Sequence, residues 1–303
     1  MKGRYAHPEA FAQALKERIK RRASQNNMGF NRVLQIVLFE RFLERVYAAL
    51  GDAVILKGGL AMELRLQRAR TTKDIDMRVE GDLDQMIATL RQEAARQKQD
   101  YLAFSFVGEE DFQEMIGRQV VYGGRRLRIQ AQLADRPFGS IFKLDLSVAD
   151  KLVLPPDVME GTSLLDFIGI EPVRHRVYPI EAHLAEKLHA MTMVFDGAPS
   201  GRVKDLVDTG LLAKHKRLKA ATLWGSINAT FDFRRTHQIP PYLSDPPEFW
   251  ENLYDHIRKE DQLPWDTLSE LHALCSQFLN PLLAETVSGE AYWSPDDEWW
   301  DEP

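Results

Sequence analysis

Apolar positions recur at helical spacing near the start of the chain. Phe11, Leu15 and Ile19 stand four apart, which predicts a helix over residues 8–22 with one buried face. A second amphipathic helix is expected over residues 31–50. Its stripe is Phe39, Phe42, Leu43 and Val46, and Gly51 is its stop. The period then changes. Residues 53–56 form a short apolar run, read as a buried strand, followed by Lys57-Gly58-Gly59 and helix formers over 60–66. Residues 74–79 read as the next strand and 83–98 as a helix. Residues 102–107, 126–133 and 141–148 read as three further strands. The central third is therefore expected to be a mixed α/β sheet of about five strands. From Pro179 the period is helical again, with Ile180, Leu184, Leu188 and Met191 on one stripe. Residues 195–201 hold Gly, Pro and Ser and are expected to form a loop, with another helix starting near Arg202. Residues 239–247 contain four prolines and read as an extended connector. The rest is expected to be helical up to an acidic tail, and no repeat is visible.

Composition narrows the class. The 303 residues are 44% hydrophobic, enough for a core. No apolar stretch has the roughly 20 residues that a membrane span needs. The first 22 residues carry no apolar signal segment. Cys275 is the single cysteine, so an internal disulfide and a cysteine-based zinc site are excluded. A cytoplasmic protein is expected. The net charge of -6 argues against a general nucleic-acid binder, but the charge is uneven. Residues 1–50 hold ten Lys/Arg against four Asp/Glu, and residues 291–303 hold five acids and no base. The basic arm is either a contact for phosphates or a solvated helix face. The acidic tail is either disordered or docked on a basic surface, and Trp293, Trp299 and Trp300 point toward docking, because apolar rings of this size favour burial.

The residues that carry chemistry cluster around residues 57–76. Asp74 and Asp76 stand two apart on an expected strand, so they share a face while Ile75 points to the core. Two carboxylates on one face repel each other without a cation, and hard oxygen ligands at this spacing suit Mg2+ or Mn2+ with triphosphate oxygens. Gly58 and Gly59 sit between a strand and a helix, where backbone can approach a phosphate closely. Lys57, Thr72 and Lys73 flank them. The competing reading is a plain turn beside a solvated acidic strand. A third carboxylate is expected from a neighbouring strand, and Asp145 fits. Phe142, Leu144, Leu146 and Val148 alternate to one face, and Lys143, Asp145 and Ser147 to the other. The alternative for Asp145 is the polar face of an edge strand. Lys187 borders the buried stripe of its helix, where it reaches either triphosphate oxygens or an ion pair with Glu186 or Glu181. Arg202, Lys204, Asp205 and Asp208 open the next helix. Arg202 is a candidate for a phosphate contact, and Asp205 for a base or for the residue that orients Lys187 and Arg202. His183 and His189 are six apart on different faces and are read as structural, and Met191 and Met193 as core.

The segment LKGGLAMELRLQRARTTKDIDMRV resembles the first motif of the AbiEii/AbiGii toxin-type nucleotidyltransferases, which include the MenT-like toxins and belong to the DNA polymerase β-like superfamily. Gly58, Gly59, Asp74 and Asp76 match the glycine pair and the Asp-x-Asp of that motif. AEKLHAM, with Lys187, resembles the second motif, and RVKDLVD, with Arg202, Lys204, Asp205 and Asp208, the third. The resemblance runs over nearly the whole chain. Gly59 departs from it, since some members carry a serine there. The resemblance implies a bilobed α/β (α+β) protein, with a nucleotidyltransferase lobe over 1–178 facing a helical lobe over 179–303. It implies a divalent metal, a nucleoside triphosphate donor and release of pyrophosphate. Asp74, Asp76 and Asp145 would serve as metal ligands. Lys57, Gly58, Gly59, Thr72, Lys187 and Arg202 would hold the nucleotide, and Asp205 would act with Lys187 in catalysis. It further implies a toxin of a bacterial toxin–antitoxin or phage-defence system, restrained by a cognate antitoxin protein, with the 3′ end of tRNA as acceptor. A protein side chain or a small molecule is the alternative acceptor. An inactive nucleotide-binding protein is the alternative from another class.

Overall fold

The structure is a computed structural model that describes residues 5, 7–66, 72–116, 119–148, 152–162, 164–195 and 198–302. Arg70 and Thr71 of the first motif lie outside the described residues. In chain order the elements are α1 (Pro8–Gln25), α2 (Phe30–Leu50), β1 (Val54–Lys57), α3 (Gly58–Leu66), β2 (Asp74–Val79), α4 (Leu83–Ala94), β3 (Leu102–Ile116), β4 (Gln119–Leu133), β5 (Arg136–Pro137), β6 (Phe142–Val148), β7 (Asp157–Glu160) and β8 (Arg174–Val177). They are followed by α5 (Ile180–Thr192), β9 (Val194–Phe195), β10 (Ala198–Pro199), α6 (Val203–His215), β11 (Leu218–Lys219), α7 (Ala220–Arg234), α8 (Trp250–Asp261), α9 (Leu268–Leu283), β12 (Tyr292–Ser294) and β13 (Trp299–Asp301). Among the described residues no helix is long and apolar enough to cross a membrane.

Among the described residues the central sheet has eight strands in the order β3-β4-β6-β2-β1-β8-β7, with β5 paired to β4. The sequence suggested about five. The additional strands are short and lack a long apolar run: β7 reads Asp157, Val158, Met159, Glu160, and β8 reads Arg174, His175, Arg176, Val177. Their pairing depends on the tertiary fold, which local periodicity does not report. β3 and β4 also extend as one long antiparallel ladder beyond the apolar cores seen in the sequence. β6 lies between β4 and β2, so Asp145 sits on an interior strand and not on an edge.

One face of the sheet is covered. Phe39 and Phe42 of α2 meet Phe104 and Phe142 there, at ring separations of 5.0–6.4 Å. Ile75, Leu144 and Leu146 are buried in this core, while Val148, expected with them, is exposed at the strand end. Behind α2 a buried Asp100 accepts from Arg41 at 2.7 Å and from Arg45 at 2.6 and 2.7 Å, tying the helix to the turn before β3.

A second core joins α5 to α9, and Met62 of α3 packs into it. We propose the division into lobes at residues 178/179 on the strength of these separate cores. The sequence placed a loop over 195–201 and an all-helical remainder. Instead β9 and β10 form a two-stranded ribbon, and the tail folds back as β12 and β13, which pair with β11. Trp293 and Trp300 are buried by this docking. Their indole N–H groups donate to the carbonyls of Ala213 (2.7 Å) and Phe278 (2.9 Å), while Trp299 stays exposed. α4 ends at Ala94, short of the expected residue 98.

Candidate active site

The opposite face of the sheet carries the chemistry, with Ile55 of β1 packed there against Tyr178 and against Ala182 of α5. Strand register sets five side chains in one row across it. Lys57 on β1 pairs with Asp76 on β2, Asp76 with Asp145 on β6, Asp145 with Arg126 on β4, and Arg126 with Glu110 on β3. The charges run plus, minus, minus, plus, minus. Asp74 lies one pleat away, beside Lys143 and then Arg128. The two aspartates share a face because they are two apart on a strand, and Ile75 between them is fully buried.

Asp76 is the most perturbed of these groups. Burial first, then the neighbouring Asp145, pushes its carboxyl up to about 6, with Asp74 adding to the shift; Lys57 and the Gly59 N–H oppose it. This pattern marks a place where negative charge is concentrated beyond what the protein itself neutralises. Gly58 lies directly under that carboxyl. Its φ is +68°, and a β-carbon on residue 58 would collide with the side chain of Asp76. A β-carbon on Gly59 would press into Thr72 at 2.8–2.9 Å. Thr72 is buried, and its hydroxyl donates to the carbonyl of Asp74 at 3.1 Å, which fixes the entrance to β2. Arg32 of α2 donates to the Thr72 carbonyl at 2.9 Å and pairs with Glu63 of α3. The glycine turn, the carboxylates and the two helices are thus one tied unit.

Two hard carboxylates on one face, packed against a glycine turn with no room for a β-carbon, fit a divalent cation. Asp145 fits less directly. Arg126 donates to both of its oxygens, Nε to Oδ1 at 2.8 Å and Nη2 to Oδ2 at 2.7 Å. Among the described residues no three His, Cys, Asp or Glu side chains stand ready as a metal cage.

A second group lies on the helical side. Lys187 is buried on α5 and donates to Asp205 at 3.1 Å and Asp208 at 2.6 Å, both on α6. Burial alone would lower its pKa, but Asp208 and Asp205 outweigh that and hold the ammonium above its ordinary range. The hydrogen-bond partners of Lys187 are therefore Asp205 and Asp208 on α6, not the Glu186 or Glu181 weighed from spacing. Arg202, half-exposed at the start of α6, stands 3.8 Å from Asp205. Asp205 thus touches both basic residues. Glu186, next to Lys187, connects the two groups. It lies 3.7 Å from Lys57 and 3.6 Å from Arg234, and accepts from the Tyr178 hydroxyl at 2.7 Å. His183 and His189 are buried, consistent with a structural role.

Lys57, Gly58, Gly59, Thr72, Asp74, Asp76 and Asp145 are brought together on the sheet, and Lys187, Arg202 and Asp205 on the helices. Sequence reasoning missed Arg126 and Glu186 as site residues. The available signal was weak: Arg126 and Arg128 alternate on a strand, but only the register of β4 on β6 shows which acid Arg126 meets. Glu186 was legible only as a helix-surface neighbour of Lys187.

The family that the chain matches is one of nucleotidyltransferases. The sequence profile of the family described as nucleotidyl transferase AbiEii toxin, type IV TA system, matches residues 41–272. The chain belongs to this AbiEii family of nucleotidyltransferase toxins. Among solved structures it is similar to MenT4, nucleotidyltransferase toxin Rv2826c from Mycobacterium tuberculosis H37Rv, at 14% identity and a TM-score of 0.53 over 91% of each chain, a likeness of fold. JHP933 from Helicobacter pylori aligns at 17% identity and a TM-score of 0.43, over 83% of this chain and 93% of its own. No curated protein matches the sequence.

Proposed function

We propose that the chain transfers a nucleotide from a nucleoside triphosphate to an RNA acceptor, the 3′ end of tRNA, in the cytoplasm, as a toxin of a toxin–antitoxin or phage-defence system restrained by its cognate antitoxin. The observation that carries the transfer chemistry is the pair Asp74 and Asp76 against the Gly58-Gly59 turn, with Asp76 raised to about 6 by burial and like charge. Asp74 and Asp76 would hold Mg2+ or Mn2+, and Asp145 would complete the set. When bound, the metal supplies Lewis-acid charge to the triphosphate. Gly58 and Gly59 offer backbone at the start of α3 to the phosphates, and Thr72 keeps that turn in place. Lys57, Lys187 and Arg202 offset phosphate charge, and Asp205 orients the last two. The acceptor hydroxyl attacks the α-phosphorus in line; the new P–O bond forms as the bond to pyrophosphate breaks. Asp145 takes the hydroxyl proton.

An RNA acceptor is favoured by a set of exposed cations beside Asp74. Lys73, Lys143 and Arg128 have no acidic partner among the described residues, and Lys143 and Arg128 lie in register with Asp74. A phosphodiester backbone is the natural counter-ion for such a row. The test is incubation of the protein with bulk tRNA, Mg2+ and each labelled triphosphate in turn. Label on tRNA that weakens steeply with salt, and weakens further in Lys143→Ala/Arg128→Ala, supports the acceptor. Label on protein or on a small molecule, with tRNA unlabelled, overturns it and leaves the transferase. Nucleotide binding with no pyrophosphate released under any condition favours the inactive alternative.

A further inference from the structure

Arg126 occupies a position that the proposed reaction needs for something else. It holds both oxygens of Asp145, at 2.7 and 2.8 Å, while Asp145 faces Asp76 across one strand pair. A guanidinium in this bidentate geometry does for Asp145 what a metal ion would do: it supplies positive charge to a carboxylate crowded by Asp76. A cation and Arg126 therefore compete for the same oxygens.

Arg126 is also built to leave. Its side chain is one-third exposed, against 13% for Asp145. On its other side stands Glu110 at 3.7 Å, directly opposite on β3. The Phe112 ring lies 5.5 Å from its guanidinium carbon and supports it from one side. Released from Asp145, the guanidinium keeps the Glu110 carboxylate within reach, and its planar fork is of the kind that suits phosphate oxygens.

We propose that Arg126 is a positioning residue that shields Asp145 from the metal until a nucleoside triphosphate arrives, then exchanges Asp145 for the phosphate oxygens. Asp145 becomes a metal ligand only in the complex with both metal and nucleotide. Metal and nucleotide then bind cooperatively, with Arg126 as the coupling element. This rests on the nucleotidyltransferase reading of the site.

The experiment is Mn2+ binding, by calorimetry and electron paramagnetic resonance, with and without an α,β-methylene triphosphate. It compares the wild-type chain with Arg126→Ala, Arg126→Gln and Asp145→Asn; Arg126→Gln guards against a packing defect in the alanine variant. Wild type is expected to bind Mn2+ weakly alone and about tenfold or more tightly with the analogue. Both Arg126 variants are expected to bind Mn2+ alone about tenfold more tightly than wild type, bind the analogue more weakly, and lose most of the cooperativity. Asp145→Asn is expected to bind Mn2+ alone as wild type does and to lose the tightening by the analogue. Unchanged or weakened Mn2+ binding in both Arg126 variants, in a wild-type background that does bind metal and nucleotide, overturns the proposal and leaves the transferase reading intact. A wild-type chain that binds neither Mn2+ nor the analogue overturns both.

Discussion

Gly58 is the residue with least freedom to change. Its positive φ is strained for any other side chain, and its α-carbon supports the Asp76 carboxyl without intervening atoms. Gly58→Ala should cost about 1–3 kcal/mol of stability. By pushing the carboxylate aside it should also lower turnover on the order of 100-fold; near-normal turnover would show that the turn tolerates displacement. Asp76 carries the opposite balance. A carboxyl raised to about 6 in the fold, against 3.8 unfolded, stabilises below the lower value and loses that contribution as pH rises through 6. At neutral pH without metal its ionised form is a burden on the fold. Asp76→Asn should therefore raise metal-free stability by about 1–3 kcal/mol while abolishing transfer. Urea unfolding in the presence of a chelator checks this, and a destabilised variant would count against the charge crowding described.

At the scale of elements, β1, α3, β2 and β6 explain why so much of the site was legible. The change from helical to strand period, the glycine pair and the Asp-x-Asp spacing are local properties, and they fixed which residues share a face. Arg126 and Glu186 were not legible because their partners lie 19 residues away on another strand and across from β1, respectively. β7 and β8 were hidden by their short, charged sequences. The tail was half legible: its tryptophans signalled docking, but the hairpin depends on pairing with β11, two residues with no pattern of their own. The join of α2 to the turn before β3 gives a prediction of the same scale. Asp100 neutralises Arg45, whose side chain is fully buried. Asp100→Ala should destabilise the protein by about 3–5 kcal/mol, because it removes the buried carboxylate shared by Arg45 and Arg41 and leaves Arg45 only the partly exposed Glu44 as a carboxylate partner. A loss below about 1 kcal/mol in denaturant titration would mean that water or another carboxylate takes over.

Across the whole molecule, charge ties the sheet to the helices through Lys57, Glu186 and Lys187, and buried histidines set the response to acid. Burial lowers His175 to about 4, His189 to about 3 and His183 well below its ordinary value. A histidine with a depressed folded pKa stabilises above the unfolded value of about 6.5 and loses that contribution as pH falls toward the folded one. Between pH 7.5 and 5.5 these histidines lose stability, and Asp76, acting in the opposite sense, returns part of it. The expected result is a lower urea midpoint at pH 5.5; an unchanged midpoint would show that these histidines are solvated. The central proposal is that Asp76 holds the metal at the reacting site. Its most direct test is transfer from a labelled nucleoside triphosphate with pyrophosphate counted in parallel, comparing wild type and Asp76→Ala with matched folding by circular dichroism. The expected result is one pyrophosphate per nucleotide transferred, dependent on added divalent metal, and no transfer by Asp76→Ala. Equal transfer by the two proteins would contradict it.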